Sequence, residues 1–330
     1  KTANMDFRLE FFPKAFEEKI RHHQKLMLIG SCFTEQIGAK LGAHKFQTCE
    51  NPSGILFNPV SIARSLGSYI SHKNYSAGDL FLNNELWGSW DHHTRFSSTD
   101  KNEALQKINA ATQQAAVFLK DADWLLITLG SAFVYELENH LVVANCHKVP
   151  TDKFNKRILE IEELTTELEN LVTQLKKYNP GLKIIFTISP VRHLRDGFIE
   201  NNRSKSVLIN ATQQLLSNHS ALYYFPAYEL VIDDLRDYRF FAEDMVHPNY
   251  AATNYVWEKF VSCCIDEGAQ EIMKEINSIN AARNHKAFNP SSEAHKIFLA
   301  TNLNKIQRMK QQYPYINFNA DIQYFTESDA

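Results

Sequence analysis

Five short apolar runs punctuate the chain: residues 26–29 (LMLI), 45–49 (KFQTC), 124–129 (WLLITL), 183–188 (KIIFTI) and 222–225 (LYYF). Runs of this length bounded by polar residues read as buried strands. Between most of them the apolar positions change to helical spacing. Ile37 and Leu41 share one face; Leu105, Ile108, Ala115 and Leu119 mark a helix over 103–119. The clearest pattern lies in 154–178, where Ile161, Leu164, Leu168, Leu171 and Leu175 recur at steps of three and four before the helix stop NPG at 179–181. Strand–helix alternation of this kind predicts an α/β fold with a five-stranded parallel sheet covered on both faces. Two segments break the rhythm and predict hairpins at the sheet's rim: 80–97, turning at Asn83-Asn84, and 133–145, turning near Glu138-Asn139-His140. From about 268 the chain becomes polar and is expected to be helical in pieces. This predicts a main domain over 1–267 and a C-terminal helical extension over 268–330.

Composition narrows the function classes. The 330 residues are 44% hydrophobic and carry a net charge of -3, so no basic excess invites nucleic acid. No apolar run approaches the ~18 residues of a membrane span. Five cysteines (Cys32, Cys49, Cys146, Cys263, Cys264), an odd number without framework spacing, fit a reducing, cytoplasmic compartment. No CxxC pair or His-rich tract has zinc spacing, so no metal or other cofactor is expected. The first residues lack a signal-peptide pattern, and Met5 is a candidate natural start. The oligomeric state is left open.

In an open parallel sheet, ligands bind beyond the carboxyl ends of the strands. The five runs deliver Gly30-Ser31-Cys32, Asn51-Pro52-Ser53-Gly54, Gly130-Ser131, Ser189-Pro190-Val191-Arg192-His193 and, past a charged connection, Glu243-Asp244-Met245-Val246-His247-Pro248 to that edge. A sheet built only for stability has no need of these groups there. Asp244 and His247, three apart, can join carboxylate to imidazole. That fixes the tautomer and leaves Nε2 as a base. Pro248 suits the first turn of the helix expected over 250–264. Either Ser31 or Cys32 could be the nucleophile so activated. Ser31 also reads as the N-cap of the following helix.

These residues resemble the GSCFA-domain family, placed within the SGNH (GDSL-like) hydrolases. The name-giving motif stands here as Gly30-Ser31-Cys32-Phe33, followed by Thr34. NPSGILFNPVSIA (51–63), TLGSAFVYEL (128–137), VANCHKVP (143–150) and ISPVRHLRDG (188–197) also look like the family, over roughly 7–262. The resemblance implies a three-layer, flavodoxin-like α/β/α sandwich. It implies acyl-ester hydrolysis, on small-molecule or glycan esters linked to carbohydrate or cell-envelope substrates. It assigns Ser31 as nucleophile, His247 as base and Asp244 as orienting acid, leaving Cys32 as a small core residue. Many members of the superfamily carry Gly-x-Asn-Asp after the third strand. Gly130-Ser131-Ala132-Phe133 lacks that Asn. The oxyanion hole is therefore expected from the backbone of Ser31, Gly54 and Gly130, completed by Ser131, by Asn58 or by the Ser189–His193 loop. Asn58, His147, Arg192 and His193 are expected to contact substrate. Trp87, Trp90, His92 and His93 read as a hairpin's packing face. An acyltransferase, or a binding module without turnover, would carry the same residues.

Overall fold

The computed structural model describes residues 9–327, so Met5 lies outside the described part. Five strands, β1 (Lys25–Gly30), β2 (Gln47–Glu50), β5 (Trp124–Leu129), β8 (Lys183–Ile188) and β9 (Leu222–Tyr224), form one sheet in the order β2-β1-β5-β8-β9. Every pair in it is parallel. Counting only these five, the order is 2-1-3-4-5, the flavodoxin-like arrangement, and it reverses direction between β1 and β5.

The central strands alternate between two cores. Met27, Ile29, Leu125, Ile127, Leu129, Ile184, Phe186 and Ile188 face a layer of four helices: α2 (Pro59–Ile70), α3 (Lys101–Asp121), α4 (Ile161–Tyr178) and α5 (Phe198–Asn218). Leu26, Leu28, Trp124, Leu126 and Ile185 face α1 (Cys32–Ala43), the short α6 (Ala227–Glu229) with the turn that follows it, and α7 (Tyr250–Cys264). Both faces are thus covered, which is why the strands read as continuous apolar runs.

The rim differs from expectation in two places. β3 (Phe81–Asn83) and β4 (Leu86–Gly88) form the first hairpin, turning at Asn84 (φ 49°) and Glu85 (φ 62°) rather than at Asn83-Asn84. Two left-handed residues in sequence give the turn whose twist suits a tight hairpin. The second expected hairpin is replaced by a longer excursion. The chain does turn at His140, but β6 (Phe133–Glu136) pairs with β7 (Asn155–Ile158), and Val142 makes only an isolated bridge. Residues 155–158 are therefore strand, not the first turn of the helix expected over 154–178. The ion pairs of Arg157 with Glu136 and Glu163 reward that choice.

Beyond α7 the chain is helical: α8 (Glu267–Asn284), α9 (Glu293–Gln312) and α10 (Asn319–Glu327). The division falls inside α8. Ala269 and Met273 join the main core, while Ile276 and Ile279 join a small separate core with Leu299, Ile306, Met309, Phe318 and Phe325. Buried Asp321 ties this extension to the start of β2, meeting Lys45 at 2.6 Å and Arg283 at 2.9 Å. No described helix is long and apolar enough to cross a membrane.

Candidate active site

The end of β1 is shaped by a residue without Cβ. Gly30 has φ +140°, and a methyl group there would stand 2.1 Å from the Thr128 carbonyl oxygen on β5. The chain can thus swing into α1 directly beside β5. Ser31 follows, donating its N–H to Thr128 O at 3.2 Å. Its Oγ caps α1, accepting from Phe33 N–H at 3.3 Å. Ser31 is fully buried, and a methyl group on Gly130 would lie 3.3 Å from its Cβ. The ends of β1 and β5 therefore meet where the sheet order reverses, the place such sheets use for ligands. Cys32 is half-buried and packs against the core under α1, and burial pushes its thiol pKa up. A raised pKa means less thiolate, hence a less reactive sulfur.

The backbone groups expected to hold an oxyanion have partners already. Ser31 N–H is held by Thr128, and Gly54 N–H by Asn51 O at 2.7 Å. The N–H groups of Gly130 and Ser131 both reach Phe57 O at 2.9 Å. The cause is the segment after β2, which folds back over the end of β5 and lays its carbonyl across both amides. Gly54, at φ +85°, does let backbone approach closely, but the neighbour is the His93 side chain. Ser131 Oγ turns inward to Ser204 Oγ at 3.2 Å and accepts from Phe133 N–H.

Asp244 and His247 form a self-contained turn. Asp244 Oδ1 accepts from the N–H groups of Val246 at 2.9 Å and His247 at 3.0 Å, while Oδ2 accepts from His247 Nδ1–H at 2.7 Å. Left-handed Met245 (φ 58°) closes it. The His247 backbone N–H, then its ring, hold the Asp244 carboxyl down at about 2. This leaves His247 Nε2 free. The pair is half-exposed, Ser31 is covered, and among the described residues no hydrogen bond joins them.

Two loops meet beside this turn, since Arg192 N–H donates to Val246 O at 3.1 Å. The Arg192 guanidinium lies on the Phe241 ring, 3.9 Å from its centre, and its Nη1 is buried without a partner. The next residue, His193, packs edge-on to Phe57. Burial, with Lys205 and then His247 adding to it, pushes its pKa down to about 3. A cavity of about 820 Å³ opens here, its walls including Asn58, Ser131, His147, Arg192, His193 and Val246. All four expected substrate contacts thus line one space. Two of them also serve the scaffold: Asn58 Oδ1 caps α2, and His147 Nε2–H donates to Ser89 O at 2.9 Å. Trp90 stacks on Phe81 at 3.7 Å, so the tryptophan-rich stretch is largely packing.

The sequence brings Asn51 to this edge without a role and does not single out Lys205. Asn51, at φ 41°, accepts from Gly30 N–H through Oδ1 at 2.9 Å, while its buried Nδ2 has no partner. Asn is among the few residues besides glycine that tolerate a left-handed corner, and Asn-Pro after a strand marks a turn; that was the available signal. Lys205 on α5 is buried, and its Nζ donates to Gly130 O and Ser189 O, each at 2.7 Å. It clasps the ends of β5 and β8 together. A lysine amid a helix gives no sequence sign of such burial.

With this geometry in view, comparison with known proteins is informative about kinship. No curated protein matches the chain. Among solved structures, an acetyl-xylooligosaccharide esterase from Geobacillus Stearmophilus shares 13% identity, with 74% of this chain and 96% of that chain covered and a TM-score of 0.39. A carbohydrate esterase family 3 protein from Talaromyces cellulolyticus shares 10% identity over 77% and 99% of the two chains, with a TM-score of 0.35. Two family models match in sequence: the C-terminal domain of GSCFA domain proteins over residues 276–329, and the GSCFA family over 25–260. The second span runs from the first residue of β1 almost to the end of α7 and takes in every strand end described above; the chain belongs to the GSCFA family.

Proposed function

We propose that this protein is a serine acyl-ester hydrolase of the SGNH type. One observation carries the reading: a carboxylate–imidazole pair with free Nε2 stands on a loop joined to the sheet edge where Ser31 begins a helix. In the reaction, His247 Nε2 takes the Ser31 hydroxyl proton as Oγ attacks the ester carbonyl. The alcohol leaves with that proton, and water then cleaves the acyl-serine with His247 again as base. Asp244 keeps the imidazole in the Nδ1–H tautomer. Ser31 Oγ can keep accepting from Phe33 N–H while its own hydrogen goes to the base, so the first step asks only that His247 Nε2 come within hydrogen-bond reach of it. Asn51 Nδ2 is the unpartnered donor next to Gly30, and we assign it to the oxyanion in place of the absent asparagine. A sugar or other alcohol in place of water would make the same intermediate an acyltransferase.

The engagement of the Ser31, Gly54, Gly130 and Ser131 amides favours a second reading, a ligand-binding module without turnover. A fluorophosphonate probe separates the two. Labelling of the wild type and Cys32→Ala, lost in Ser31→Ala and His247→Ala, is expected of the hydrolase. Labelling that persists in Ser31→Ala removes the serine assignment, and no labelling of any form supports the module.

A further inference from the structure

The cavity beside the Asp244–His247 turn has an unbalanced charge. Lys148, Lys156, Arg192 and Arg195 line it, against one carboxylate, Asp196. Lys156 is ion-paired with that carboxylate. Among the described residues, no carboxylate pairs with Lys148, Arg192 or Arg195. This local excess is opposite in sign to the net charge of -3 on the whole chain. Among the other titratable walls, burial pushes the Cys146 thiol up and so keeps it uncharged, while His147 and His193 carry no negative charge in either form.

Arg192 is the focus. Its ring contacts with Phe241 and Tyr238 fix the guanidinium plane. Its Nη1 is shielded from water yet bonded to nothing, a costly state for a charged donor. A fixed planar guanidinium matches the two oxygens of a carboxylate or phosphate. Its backbone is bonded to Val246, next to His247, so whatever it holds is registered against the base.

We propose that this cavity receives an anionic group of the substrate, a carboxylate or phosphate seated on Arg192 with Lys148 and Arg195 at its border. The inference rests on the hydrolase reading for its chemistry: the esters cleaved are anionic ones.

Calorimetric titration tests it with succinate, inorganic phosphate and, as a neutral control, dimethyl succinate. Wild type and Ser31→Ala are expected to bind succinate or phosphate alike, more weakly as salt rises, and to ignore the control. The stronger of the two anions identifies the group. Arg192→Gln should weaken binding about tenfold or more, the scale of one lost charge-assisted contact. Arg195→Gln, away from the stacked position, should weaken it less, and it carries the test if Arg192→Gln folds poorly. Absence of binding of both anions to the wild type, or affinities unchanged in both variants, overturns the proposal. Because Ser31→Ala is used, the result is separable from catalysis. Anion binding without fluorophosphonate labelling rejects the hydrolase and keeps the site; labelling without anion binding does the reverse.

Discussion

Asp244 Oδ2 and His247 Nδ1 lie 2.7 Å apart, and the other oxygen of Asp244 gathers the two N–H groups of the same turn. One side chain thus sets both the loop's shape and the imidazole's tautomer. Asp244→Asn can still accept the backbone N–H groups, but it cannot favour the Nδ1–H tautomer. We expect kcat on a chromogenic ester to fall by roughly 10³–10⁴ with little change in melting temperature. A comparable loss of melting temperature would mean that the turn, not the tautomer, was damaged.

The same pair fixes a sign for pH. The Asp244 carboxyl is lowered from 3.8 to about 2 in the folded protein. Its interactions are complete above 3.8 and are lost as pH falls toward 2. A rate profile from pH 4 to 8 should therefore show no limb from this carboxylate. A limb near pH 4 that disappears in Asp244→Asn would contradict this.

Asn51 holds Gly30 by its Oδ1 and keeps Nδ2 unspent. Asn51→Asp preserves an acceptor for Gly30 N–H but removes the free donor and adds a negative charge where an oxyanion would form. Loss of one such donor costs on the order of 10²–10³ in kcat. Full activity of a folded Asn51→Asp protein would remove Asn51 from the mechanism.

Lys205 is lowered from 10.5 to about 7 by burial. The unfolded chain keeps this proton up to its ordinary pKa, whereas the folded chain releases it at about 7. Between these limits the unfolded state binds more protons, so this group makes stability rise with pH. Urea unfolding at pH 7 and pH 9 should show that gain in the wild type and less of it in Lys205→Met. The variant should also be weaker at both, since Gly130 O and Ser189 O lose their donor, each at a cost of about 1–3 kcal/mol.

Gly30→Ala would put a methyl group 2.1 Å from backbone on the neighbouring strand. Neither β1 nor β5 can yield, because Leu28 and Leu126 are paired in the centre of the sheet. We expect little soluble protein, measured against Gly42→Ala, where nothing lies within 4 Å.

The sheet was legible because its strands are buried on both faces, and α7 was found at its full extent of 250–264, although Pro248 lies before the Asn249 N-cap and not in the first turn. What escaped lies where local pattern loses to tertiary pairing. Asn155, Lys156 and Arg157 look like helix surface, but they pair with β6 because Glu136 and Asp196 await their charges. The Asp244–His247 pairing was readable from its spacing. The occupation of Gly130 and Ser131 N–H by Phe57 was not, since two segments more than seventy residues apart create it. Lys205 stayed hidden for the same reason: its partners are backbone carbonyls, which leave no mark in a sequence.

The clasp of Lys45 with Asp321 joins residues 276 positions apart. Closing so long a loop is slow compared with making local contacts. The clasp thus ties the corner before β2 to α10 across almost the whole chain. β2 is the edge strand of the sheet, and such an edge is where another chain can add itself. Asp321 thus holds the last described helix against the corner that leads into that edge.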